Sequence, residues 1–155
     1  MSGNNQEQAW KDICAMYQQD GVSERLLQWQ HQRDLDVVRM LLAVWLYTHE
    51  QAVSPLTEEC RQLYQTVIKP WRQIRTGVRE MSAFKGFYRR LLQLELQLER
   101  AYFDELWRVV SISPDREEDA SLSLLLNRLG CNDVLSALEL EWLIQQGYSI
   151  KEKEG

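Results

Sequence analysis

Between Lys69 and Arg90 the chain places seven basic residues, Lys69, Arg72, Arg75, Arg79, Lys85, Arg89 and Arg90, against one acid, Glu80. The rest of the sequence holds 11 bases and 22 acids, so charge is segregated in a protein whose formal net charge is -5. Lys69, Arg72, Arg75 and Arg79 follow at steps of three, three and four. On a helix that spacing lines them along one side, beside an apolar stripe containing Trp71 and Ile74. An arginine row suits a carboxylate or a phosphate, because each planar guanidinium offers two parallel donors. The arginines can neutralise acids of the same fold, Asp36 among them, with their stems laid on the core edge. They can equally form a surface for an acidic partner protein. Nucleic acid or another phosphate-bearing ligand on segment 69–90 is the alternative, and a pI near 5.1 weighs against it.

Other groups carry less chemistry. His31 and His49 fall on different predicted helices with no Cys or acidic partner at ligand spacing, so no metal site is expected. The CxxC, HExxH, GxSxG and GxGxxG patterns do not occur. Asp34 and Asp36 stand two apart, which on a helix points them away from each other. They read as a cap at Asp34 with Asp36 in the first turn. Cys14, Cys60 and Cys131 are odd in number and widely spaced, which suits reduced thiols inside a core better than a disulfide framework. The sequence therefore offers no catalytic residue, no cofactor and no metal ligands. It reads as a non-enzymatic interaction or regulatory protein.

The elements that must position these groups are helical. With 155 residues, 45% of them hydrophobic and only three Pro, the composition fits a single globular domain, and six tryptophans supply large core anchors. Trp10, Ile13, Cys14 and Tyr17 repeat at three and four, and Gly21 closes that helix. A short helix carries Val22, Leu26 and Trp29, and a third runs from about Leu35 to His49. Ser54 and Pro55 open a fourth, whose stripe Cys60, Tyr64, Val67, Trp71, Ile74 and Val78 passes through Pro70, where a kink is expected. The alternation of Leu92 to Leu98 resembles a strand, but strong helix formers and the spacing of Phe84, Phe87, Leu91, Leu94, Leu98 and Ala101 favour a long central helix from about Met81 to Val110. After a linker with a cap at Ser113, one stripe spans Leu122 to Leu129 and another, capped by Asn132, spans Val134 to Leu143. The expected fold is all-α, a bundle-like array of six or seven helices over residues 1–150. It divides into 1–112 with the central helix, a C-terminal helical pair at 113–150, and a charged tail at 151–155. The longest uncharged apolar run, Met40 to Tyr47, is far short of the roughly 20 residues of a membrane span, and the first residues lack the features of a secretion signal. A cytoplasmic location is expected.

The order of Trp10, Tyr17, Gly21, Val22, Gln30, Asp36, Val37, Leu41, Leu42, Trp45, Pro70, Arg72 and Arg75 resembles the proteobacterial domain of unknown function 2390 family. Where that pattern has Gly and Asn around the aspartate, this chain has Asp34 and Val38. The resemblance implies a small bacterial cytosolic helical protein and adds no mechanism. It singles out Asp36, Arg72 and Arg75 among the polar positions.

Overall fold

A computed structural model describes residues 2–33, 35–53, 58–79, 85–109, 112–113, 121–129, 131 and 135–154. The helices are α1 (Ser2–Gln18), α2 (Val22–Arg33), α3 (Val37–Thr48), α4 (Glu58–Leu63), α5 (Lys69–Arg79), α6 (Lys85–Val109), α7 (Leu122–Arg128) and α8 (Ala137–Glu154). A five-residue π-helical segment, Tyr64–Ile68, joins α4 to α5 in one continuous run. The described residues thus form seven helical runs, the all-α, bundle-like fold expected. The one addition is a short antiparallel pair, β1 (Ala52–Val53) with β2 (Ile112–Ser113).

The chain packs as two compact units. Unit 1 comprises Met1–Leu56 and Val110–Gly155, and unit 2 comprises Thr57–Val109. Within unit 1, α3 is the buried centre: every residue from Leu35 to Leu46 is buried. A helix apolar all round needs neighbours on every side, and α1, α7 and α8 pack against α3. Its start is set by Asp36 rather than Asp34: Asp36 has an extended backbone and its carboxylate accepts from the Val38 N–H. Asp34 lies outside the described residues. Gly21, at φ +78°, makes the turn between α1 and α2 that a residue with a Cβ rarely adopts. On α1 the buried positions are Ala9, Asp12, Ile13 and Met16, while Trp10, Cys14 and Tyr17 are half-buried.

Three terminal signals differ from expectation. Ser113 lies in β2, and α7 is capped instead by Ser121, whose hydroxyl accepts from the Leu124 N–H at 3.2 Å. Helix α8 begins after Ser136, in a reciprocal capping box: the Ser136 N–H donates to Glu139 Oε1 at 2.8 Å and the Glu139 N–H donates to Ser136 Oγ at 3.2 Å. Asn132, Ser54 and Pro55 lie outside the described residues. Helix α8 also runs through Gly147 to Glu154 in place of a tail. A Cβ on Gly147 would stand 2.6 Å from Val44 Cγ1 and 2.7 Å from Thr48 Cγ2, so the glycine lets α8 meet α3 closely. One turn later the Lys151 ammonium donates to the Thr48 carbonyl at 2.7 Å, satisfying an open acceptor at the α3 C-terminus.

In unit 2, α6 packs against α4, the π segment and α5. The face turned to α6 is not the stripe read from sequence. Tyr64, Ile68 and Arg72 are buried, whereas Val67 is partly exposed and Ile74 is 55% exposed. The π segment explains the change. Its wide turn is closed by the Lys69 N–H to the Tyr64 carbonyl, five residues back. One extra residue per turn retards everything downstream by roughly 100°, so Arg72 takes the place that Trp71 would hold in an uninterrupted α-helix. The widened turn also accommodates Pro70, which has no N–H to give and would crowd the carbonyl four residues back.

Candidate functional site

The basic segment separates into groups with different surroundings. Arg72 is 8% exposed and faces α6, where its Nε and Nη2 donate to Glu99 Oε1 at 2.8 and 2.5 Å. Its guanidinium carbon also lies 5.7 Å from the centre of the Tyr64 ring, and Tyr64 stacks on Tyr102 at 6.1 Å. The carboxylate partner expected at Asp36 is thus Glu99 instead. Buried beside this group, the Trp71 indole N–H has no acceptor among the described residues. Lys69 is half-buried. The side chains of Arg75, Arg79 and Lys85 lie outside the described residues, as does that of Val78.

Arg89 and Arg90 are exposed on α6. They lie among apolar side chains that are also exposed: Phe87 is 53% and Leu94 47% open to solvent, and Leu96 is more so. Sequence periodicity assigns Phe87 and Leu94 to the inner face, yet the inner face is carried by Leu91, Leu98, Glu99, Tyr102 and Leu106, with Leu98 and Glu99 half-buried. A helix rich in leucine on every side gives no single reading of its buried face, and the register of the Arg72–Glu99 pair chooses one.

The remaining candidate, Asp36, lies in unit 1. Its carboxylate meets Arg39 Nε at 3.1 Å, one turn along α3, and both side chains are at least 95% buried. Cys131 packs close by: burial and the Asp36 charge push its thiol up to about 12. Sequence reading missed Asp12, which is buried and accepts from the Trp45 indole at 2.8 Å and from Gln8 at 2.9 Å. An indole in a helix core needs an acceptor, and that requirement was the available signal. His49 stacks on Trp45 at 4.2 Å and its Nδ1 lies 2.9 Å from the Trp45 carbonyl, which fixes the donor on Nδ1. Burial holds its pKa below the usual histidine value, opposed by that carbonyl and assisted by Lys151. His31 is exposed on α2. Among the described residues no three His, Cys, Asp or Glu side chains gather in a way that could hold a metal ion, and no helix is long and apolar enough to cross a membrane.

Comparison with family models gives one described as a protein of unknown function (DUF2390), matching residues 8–106. The chain belongs to the DUF2390 family. No curated protein and no solved structure matches it. The DUF2390 match takes in Asp12, Asp36 and Arg39 of unit 1 and the Arg72–Glu99 pair of unit 2, together with the exposed face of α6. It ends before α7 and α8, so Gly147 and the α8 capping box lie outside the DUF2390 span.

Proposed function

We propose that this DUF2390 chain is a non-catalytic interaction protein whose partner surface is the exposed face of α6, and that the partner is an acidic protein. The observation that carries this reading is the mixture of apolar and basic groups exposed on α6: Phe87 and Leu94 stand open to water beside Arg90, and Leu96 stands open on the same side as Arg89. Exposed large apolar groups next to arginines are the composition of a protein-binding patch, where the apolar groups supply affinity and the charges supply selectivity. A surface that only neutralised phosphates would gain nothing from an exposed leucine. Charge favours the same partner: unit 2 holds ten bases and seven acids, against eight and sixteen in the rest of the chain. Arg72 is set apart from this role, since Glu99 already takes its guanidinium.

Affinity capture from native cytosol tests the reading, with the intact protein compared with Phe87→Ala and Arg90→Ala and with nuclease present or absent. The proposal expects a protein that is captured despite nuclease and lost from both variants. Capture that disappears with nuclease and falls steeply with salt belongs to the phosphate-binding alternative.

A further inference from the structure

The exposed positions of α6 have an order of their own. Phe87, Arg90, Leu94, Gln97 and Ala101 are all exposed and follow one another at steps of three, four, three and four. This is the seam spacing of a coiled coil. It runs straight for roughly 21 Å at 1.5 Å per residue, with apolar residues at every first position and polar residues at every second. The adjoining side of the same helix, through Leu91, Tyr102 and Leu106, is already buried.

We infer that α6 pairs through this seam with an acidic amphipathic helix of a different protein. The inference rests on the proposed docking face and specifies its occupant. A seam that is polar at alternate positions states what it wants opposite: a carboxylate for Arg90, an amide for Gln97, and apolar side chains for Phe87, Leu94 and Ala101. Polar seam residues weaken generic association and fix partner and register. The seam itself contains no acid, so a second copy of this chain in either orientation gives Arg90 no carboxylate, and a parallel pairing sets Arg90 against Arg90. Arg89, exposed next to Arg90 in sequence but turned away from the seam, adds to the positive field around it. The sequence of α6 agrees. Its first turn carries no acid and its early charged positions, 85, 89 and 90, are all basic. The positive end of a helix dipole disfavours cations, and an acidic partner offsets that.

Three designed peptides test the inference against the full-length protein by titration calorimetry. The first is a helix whose seam carries leucines opposite the apolar positions and a glutamate opposite Arg90, with glutamates elsewhere. The second is a scrambled peptide of the same composition, and the third is the first peptide with lysine replacing the glutamate that faces Arg90. Polyphosphate serves as a plain anion. Binding of the first peptide alone, weakened about tenfold or more by Phe87→Ala or Leu94→Ala, is the expected result. Arg90→Glu should lose the first peptide and gain the third. Circular dichroism of each variant checks that these exposed substitutions leave the helices intact. Equal binding of the scrambled peptide, still sensitive to Phe87→Ala, overturns the helical partner while leaving the docking face standing. Binding of polyphosphate alone, or of no probe, overturns both. Concentration-dependent self-association abolished by Leu94→Ala overturns the heterologous partner in favour of a second copy.

Discussion

At the scale of single residues, Arg72 and Asp12 illustrate how polar groups enter this interior. Each is buried and each is answered by a group on another helix: Arg72 by Glu99 and Asp12 by the Trp45 indole. Removing one member of such a pair strands the other, and stranding costs more than the pair itself contributes. Arg72→Ala should therefore destabilise by about 1 to 3 kcal/mol, and the double replacement Arg72→Ala with Glu99→Ala should recover part of that loss. Denaturant titration of the two single variants and the double variant measures this coupling. Additive effects would remove the pair from the account of how α5 meets α6. Sequence alone showed that arginines beside an apolar stripe would seek a carboxylate. It could not show which carboxylate, because the partner depends on how two helices align.

At the scale of elements, helix identity was legible and helix rotation was not. The periodicities of α1, α2, α3 and α7 coincide with helices, and Gly21 punctuates the chain where expected. The buried faces of the run from Glu58 to Arg79 and of α6 were misread for two physical reasons. A π turn breaks the 3.6-residue period without leaving a mark in composition, and a leucine-rich helix satisfies more than one stripe. Gly147 has no role legible in the sequence, because periodicity does not show which helix comes close to it. Its role is proximity: Val44 and Thr48, both stiff β-branched residues, occupy the space a methyl group would need. Gly147→Ala should force α8 away from α3 at a cost of about 1 to 3 kcal/mol, seen as a melting temperature lowered by several degrees. An unchanged melting temperature would show that α3 and α8 yield without strain.

At the scale of the whole molecule, the distribution of charge makes its stability depend on pH through unit 1. His49 is held below its ordinary pKa, chiefly by burial, so the fold favours its neutral form. The unfolded chain, titrating near 6.5, then takes up protons before the fold does. The stability His49 contributes is complete above about 6.5 and is lost as pH falls through that value toward the lowered one. Glu139 is held below the usual carboxylate value, first by the Ser136 N–H of the capping box and also by Arg33. Its contribution is present above about 4.5 and is lost at more acidic pH. Thermal unfolding between pH 8 and 4 should show a first decline beginning near pH 6.5, absent in His49→Gln, and a second below about 4.5. A first decline that persists in His49→Gln would assign it elsewhere.

The π segment has a consequence for how this chain tolerates changes of length. Buried positions at 64, 68 and 72 are what an ordinary α-helix one residue shorter would present at steps of three and four. Tyr64–Ile68 thus has the form of a single-residue insertion taken up within one turn, leaving the helix on either side in phase. Deleting Thr66 should then restore an α-helix and still bring Arg72 to Glu99, provided Pro70→Ala removes the ring that the narrower turn cannot hold. The same deletion of one residue at Gln93, in the unbroken α6, would swing Leu98, Glu99 and Tyr102 by roughly 100° away from their partners. Unfolding of the two deletion variants distinguishes them. Chain length in this fold is free to vary at one turn of unit 2 and is fixed along the helix that faces it.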